Sequence, residues 1–185
     1  MSAAAAARPQ AAGVALERVD AEGRFSGYAS LFGVTDLAGD ELQPGAFAAS
    51  LARRGVDGVK LLYQHDPAAP IGRWLDIAED RKGLRVMGQL HAEVEKAREV
   101  ASLMRAGILD GLSIGFRTVK ARTEPRTGIR RVSEVDLWEI SVVTFPMLPG
   151  ARVTDLSARG VADPAALARR IRAAAATLKA AAARP

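Results

Sequence analysis

The chain has 185 residues, 49% of them hydrophobic and 25% charged, a balance that fits a globular domain with one hydrophobic core and tails, and is too small for two comfortable domains. It contains no cysteine, which excludes disulfides, thiolate metal sites and a cysteine nucleophile. The net charge of +5 is unevenly placed: residues 1–150 hold 19 basic and 19 acidic residues, whereas residues 151–185 hold seven basic residues against Asp155 and Asp163. A neutral main body lacks the phosphate-neutralising surface that duplex binding requires, so a nucleic-acid partner is not expected.

Residues 1–12 read as a flexible leader. Arg8, Pro9 and Gln10 interrupt its alanines where a signal peptide would need an apolar run, so an intracellular protein with no membrane partner is expected. Val14, Leu16 and Val19, then Phe25, Tyr28, Ala29 and Leu31, flank the turn residues Asp20 to Gly23 and predict a hairpin. A polar loop follows over 36–43. Its Asp36, Asp40 and Glu41 lack the ligand spacing of a calcium loop and read as solvated. Pro44-Gly45 opens a short helix with Phe47 and Leu51 on one face and Gly55 as its stop.

Val59, Leu61, Tyr63 and His65 alternate with polar or second-face residues, the period of a strand whose last inward position is a histidine. Residues 70–91 read as a hairpin turning at 79–83. Val94, Ala97, Ala101 and Met104 fall at helical spacing ahead of Gly107. Strands are expected over 112–120 and 128–144, the second bent near Glu134. Trp74 and Trp138 read as core anchors. Together these elements, six or seven strands with few helices, predict a mainly β fold with flanking helices (α+β), a closed barrel or a sandwich, over residues 13–153. Residues 154–185 are expected to form a basic, Ala/Arg-rich tail whose helix starts at Asp163-Pro164, with a thin apolar stripe of Leu167, Ile171 and Leu178.

Chemistry can reside in few places. With two histidines, an imidazole mechanism must use His65, at a strand end beside Asp66, or His91, at a strand-to-helix corner that reads as structural. Ser113 alternates with Leu112, Ile114 and Phe116 and is flanked by Gly111 and Gly115, small neighbours that would let a substrate backbone approach and leave N–H groups for an oxyanion. A serine needs a base, and the base works best when an acid fixes its tautomer. Glu139, on the strand face opposite Trp138, Ile140 and Val142, is the candidate, with Asp66 and Glu134 as rivals. No phosphate-binding glycine loop is present, and no cofactor or metal is expected.

The ordered series Gly27-Tyr-Ala-Ser-Leu-Phe32, Pro44-Gly-Ala-Phe47, Leu61-Leu-Tyr-Gln-His65-Asp66, Pro70-Ile-Gly-Arg73, Gly111-Leu-Ser-Ile-Gly-Phe116 and Trp138-Glu-Ile-Ser-Val-Val143 resembles the prohead proteases of tailed phages, whose relatives occur in prophages and gene transfer agents. The resemblance covers about residues 14–153. It implies a fold similar to the herpesvirus capsid-maturation protease, a closed or partly closed antiparallel β-barrel of about seven strands ringed by helices, and a serine–histidine pair, with His65 and Ser113 at the matching positions. Herpesvirus enzymes use a second histidine as third member, where this chain offers Glu139. The implied activity is that of a serine endopeptidase acting inside the assembling procapsid in the cytoplasm. Its expected partners are the scaffold region of the major capsid protein and the enzyme itself, by autoprocessing as a homo-oligomer. A non-catalytic assembly or scaffold protein of the same barrel fold is the alternative, and a nucleic-acid-binding module driven by the arginine-rich tail is a further rival.

Overall fold

The computed structural model describes residues 19–154. The expected leader, the first arm of the opening hairpin up to residue 18, and the basic tail helix lie outside the described residues. In chain order the elements are β1 (Arg24–Leu31), β2 (Asp40–Leu42), α1 (Ala48–Arg54), β3 (Lys60–Tyr63), β4 (Asp66–Glu79), β5 (Gly83–Leu90), α2 (Glu95–Arg105), β6 (Gly111–Thr123), β7 (Arg130–Val143) and β8 (Val153–Thr154). Both helices stop where expected, with Gly55 (φ 67°) and Gly107 (φ 69°) in the left-handed region that glycine enters without penalty.

All the strands belong to one sheet, ordered β2-β7-β3-β4-β5-β1-β8, with β6 on β7. β7 organises it. One edge pairs with β6 along nearly its whole length, and the other is shared end to end by β2, at residues 130–132, and β3, at residues 139–142. Both β2 and β3 run parallel to β7, so the sheet is mixed rather than antiparallel throughout. The connection from β2 to β3 carries α1.

The sheet curls into a half-barrel and does not close, which corrects the closed barrel among the expected forms. Its two ends approach only where residues 151–153 staple them: Tyr28 N–H donates to Arg152 O (3.1 Å), Leu112 N–H to Ala151 O (2.9 Å) and Val153 N–H to Asp110 O (2.8 Å). A strand of two residues cannot continue that ladder along β6, so the barrel remains open beyond it.

Phe25 and Trp74 form the centre of the core, edge to face with ring centroids 5.7 Å apart. Around them lie Leu61, Ile71, Leu84, Val86, Leu112 and Ile140, all fully buried, and α2 contributes Ala97, Val100, Ala101 and Met104 from one face. α1 is fixed to β7 by polar contacts. Ser50 Oγ accepts the Leu137 N–H (2.9 Å), and buried Asp136 accepts from Arg53 (2.6 Å), from Arg54 (2.9 and 3.0 Å) and from Trp138 Nε1 (2.8 Å). Arg54 first, then Trp138, hold the Asp136 carboxyl far below the usual carboxylate range.

Two expectations change here. Trp138 is 52% exposed rather than a core anchor. Gly115 pairs with Glu139 and Phe116 with Leu137, which leaves Trp138 as the extra residue of a β-bulge and turns its ring outward. The polar loop over 36–43 contains β2, and Asp40 is buried rather than solvated, its two carboxylate oxygens accepting from Nε and one terminal nitrogen of the Arg130 guanidinium. The expected bend near Glu134 is a register irregularity where Lys120 meets Glu134, within a continuous β7.

Phe25→Ala should cost about 3–5 kcal/mol in urea unfolding, because Trp74 loses its edge contact and the open sheet cannot collapse into the cavity. A loss below about 1 kcal/mol would contradict the placement of that pair at the centre of the core.

Candidate active site

Three candidate residues are assembled around β7, and the sheet register explains how. Ser113 on β6 lies opposite Ser141 on β7, and Gly115 lies opposite Glu139. Directly paired residues project from the same face, and positions two apart on a strand share that face. Ser113, Glu139 and Ser141 therefore stand together, Ser113 and Ser141 with Cβ atoms about 4.5–5.5 Å apart. On the other edge of β7, Leu62 of β3 pairs with the same Ser141. The chain leaving β3 passes this spot within three residues and delivers His65.

His65 does not continue the strand, as its alternation with Tyr63 suggested. β3 ends at Tyr63, and Gln64 (φ 55°) and His65 (φ 59°) both adopt the left-handed conformation, the only non-glycine residues among the described residues to do so. Each such residue costs on the order of 1–3 kcal/mol unless its surroundings hold it there. Here they do. Gln64 N–H donates to Val142 O (3.0 Å), and its side chain clamps Thr144, donating from Nε2 to Oγ1 (2.6 Å) and accepting the Thr144 N–H (3.3 Å). His65 N–H donates to Ser141 Oγ (3.0 Å).

This turn brings the imidazole to Glu139, with His65 Nδ1 2.7 Å from Oε1. An ionised carboxylate only accepts, so Nδ1 carries the proton, and the neutral ring presents its lone pair at Nε2. The second oxygen of Glu139 accepts the Ser141 hydroxyl at 2.6 Å. The Glu139 side chain is 13% exposed, against 43% for His65. Hydrogen bonding to Glu139 first, and its negative charge in addition, raise the His65 pKa above its ordinary value despite partial burial. The pair's contribution to stability is therefore complete below the ordinary histidine pKa and is lost as pH rises through the raised one. Action as a neutral base has the opposite dependence, increasing as pH rises through the raised pKa.

The rivals for the third position stand elsewhere. Asp66 turns back on its own loop to accept the Ala68 N–H (2.8 Å), and Glu134 pairs with Lys120 (2.5 Å) where the two long strands cross the sheet. His91 is an exposed corner residue whose N–H donates to Ile71 O (2.9 Å).

The two facing serines differ in state. Ser141 is fully buried and has committed its single proton to Glu139. Ser113 is 5% exposed, and among the described residues its hydroxyl makes no hydrogen bond. Ser113 also lines a narrow cleft of about 20 Å³ with Val34, Leu42, Ile114, Met147 and Leu148.

The flanking glycines have other uses than the expected one. A Cβ on Gly115 would lie 1.9 Å from Glu139 Oε1, and one on Gly111 would meet Val143 O at 2.5 Å and Pro146 at 2.9 Å. The spaces beside them are filled by the protein itself rather than left for a substrate. Sequence reasoning missed Ser141 and Gln64. The two-residue step from Glu139 was the available signal for Ser141.

Residues 13–165 match the family described as caudovirus prohead serine protease. The chain belongs to that family. It is similar to the prohead protease of Enterobacteria phage HK97, 40% identical over 127 residues, covering 68% of this chain and 56% of the relative. It is also similar to the prohead protease of Escherichia phage T5, 31% identical over 112 residues, covering 60% of this chain and 52% of the relative. The chain thus spans about half the length of these curated relatives. In fold it is similar to a KSHV protease solved in complex with a hexapeptide phosphonate inhibitor, with a TM-score of 0.53 and 14% identity over 83% of this chain and 76% of the other. The bacteriophage T4 capsid assembly protease gives a TM-score of 0.52 and 14% identity over 65% and 80%. These likenesses place the prohead protease family member and the viral proteases on one fold, as the sequence resemblance implied.

Replacing Glu139 with Gln should lower the pKa of His65 toward the ordinary histidine value, read from its ring resonances in an NMR pH titration. An unchanged titration would show that Glu139 does not set the charge of this imidazole.

Proposed function

We propose that this chain is a serine endopeptidase of capsid maturation, with Ser113 as nucleophile, His65 as general base and Glu139 as the acid that orients it. The observation that carries the reading is the 2.7 Å Nδ1–carboxylate contact, formed on the strand face that also bears Ser113, whose hydroxyl makes no hydrogen bond among the described residues. Membership of the prohead serine protease family supports it.

In this reading a peptide carbonyl enters beside Ser113. Nε2 of His65 takes the hydroxyl proton as Oγ bonds to the carbonyl carbon, and main-chain N–H groups hold the oxyanion. The imidazolium formed faces the Glu139 carboxylate, which stabilises it, and the proton passes to the departing amine. Water then cleaves the acyl-enzyme by the same route in reverse. No hydrogen bond joins Ser113 to His65 in the resting protein among the described residues, and apo sites of this kind commonly tighten only when substrate binds.

The substrates in this proposal are the scaffold region of the major capsid protein and the enzyme itself, processed within the procapsid by a homo-oligomer. The likeness to a capsid assembly protease and to two prohead proteases supports that choice. None of the described helices is long and apolar enough to cross a membrane.

Co-expression with the capsid protein tests the reading. Ser113→Ala should abolish trimming, a loss of roughly 10⁴-fold or more, and remove fluorophosphonate labelling of the protein. Trimming that persists in this variant would make the chain an assembly protein or shift the nucleophile elsewhere.

A further inference from the structure

We propose that Ser141 is a positioning residue that locks His65 and Glu139 into one unit, with Gly115 providing the seat in which the Glu139 carboxylate lies. The inference deepens the proteolytic reading and rests on it for its functional meaning. Its geometry stands independently.

Ser141 makes two contacts that a single small hydroxyl can satisfy together. It accepts the His65 main-chain N–H at 3.0 Å and donates to Glu139 Oε2 at 2.6 Å. The first contact holds the backbone of a residue in the left-handed region. The second fixes the rotation of the carboxylate, so that its other oxygen meets Nδ1 at 2.7 Å. The result is a closed ring of contacts, from His65 N–H through Ser141 and Glu139 to the His65 imidazole. Alanine would break it at two points. Threonine keeps the hydroxyl but adds a methyl group at a fully buried position.

Gly115 completes the arrangement from the opposite strand. Any Cβ there would fall 1.9 Å from Oε1, 2.7 Å from the carboxyl carbon and 2.9 Å from Cγ of Glu139. The carboxylate therefore lies across β6 where a side chain would otherwise stand, and Gly115→Ala must push it away. Gly115 has an ordinary backbone conformation, since its φ is not among the positive ones, so this close approach supplies the need for glycine.

Ser141 cannot act as an alternative nucleophile while in this state, because it is fully buried and its proton is engaged. Its influence must pass through His65 and Glu139, and the test must read those groups rather than turnover alone. The experiment is an NMR pH titration of the two histidines in the full chain carrying Ser113→Ala to prevent self-cleavage. Ser141→Ala, Gly115→Ala and Ser141→Thr are compared with that background. His91, on the strand-to-helix corner, serves as internal reference, and its unchanged resonance together with an unchanged circular dichroism spectrum reports an intact fold.

The expected result is a lowered His65 titration in Ser141→Ala and Gly115→Ala, with His91 unmoved and Ser141→Thr closer to the parent than Ser141→Ala is. In the active chain the same two alanine variants should lose roughly 10- to 100-fold in kcat, with KM little changed. A His65 titration identical to the parent in a folded Ser141→Ala or Gly115→Ala protein overturns the proposal. The two alanine substitutions lie on different strands, so a folding failure of one leaves the other to decide. A shifted titration in a chain whose Ser113→Ala variant still trims capsid protein would support the positioning role while removing the proteolytic one.

Discussion

The arrangement depends on one carboxylate. Glu139 accepts from the imidazole of His65 through one oxygen and from Ser141 through the other, and it can do both because it projects from a strand with a neighbour on each edge. From the β3 side comes the turn that carries the histidine. From the β6 side come the serine that faces the site and the glycine that makes room for the acid. A charged carboxylate with little solvent exposure needs partners for its lone pairs, and here the contact with His65 also fixes the tautomer of the imidazole.

The unusual topology serves this placement. Because β3 runs parallel to β7, the end of β3 and the Val143 end of β7 lie at the same edge of the sheet, so the residues immediately after Tyr63 can fold over Ser141. The cost is two consecutive left-handed residues, offset by the Gln64–Thr144 clamp and the His65–Ser141 bond. The two residues lie between the paired Tyr63 and Asp66, where a two-residue hairpin turn from β3 to β4 calls for positive φ at both positions. The staple formed by residues 151–153 joins the start of β6, two residues before Ser113, to β1, and so ties the serine's strand to the opposite end of the sheet without closing the barrel.

Much of this was legible in the sequence because strand periodicity is local. Alternation placed Glu139 opposite the apolar face of β7 and Ser113 opposite Leu112 and Ile114, and helix stops at Gly55 and Gly107 needed only the residues before them. What escaped prediction depends on distant pairing. The bulge that turns Trp138 outward exists because β6 and β7 are out of step by one residue there, and neither strand alone reveals it. Gly115 looked like a gap for substrate, since nothing in its own segment says that a carboxylate 24 positions away fills the space. Asp40 reads as solvated within its own segment, because Arg130, which pairs with it, lies 90 positions away. Ser141 resembled ordinary strand filler, and its importance follows from the His65 turn folding back over it.

The most direct test of the central claim is a crystal structure of the full chain after reaction with a peptide aryl phosphonate, in which the serine oxygen displaces the aryloxide and remains bonded to phosphorus. The account predicts continuous density from Ser113 Oγ to phosphorus, with His65 Nε2 within about 3 Å of an adduct oxygen and Nδ1 still bonded to Glu139. Density attached to another residue, or an imidazole that has left Glu139 and points away from the adduct, would contradict it.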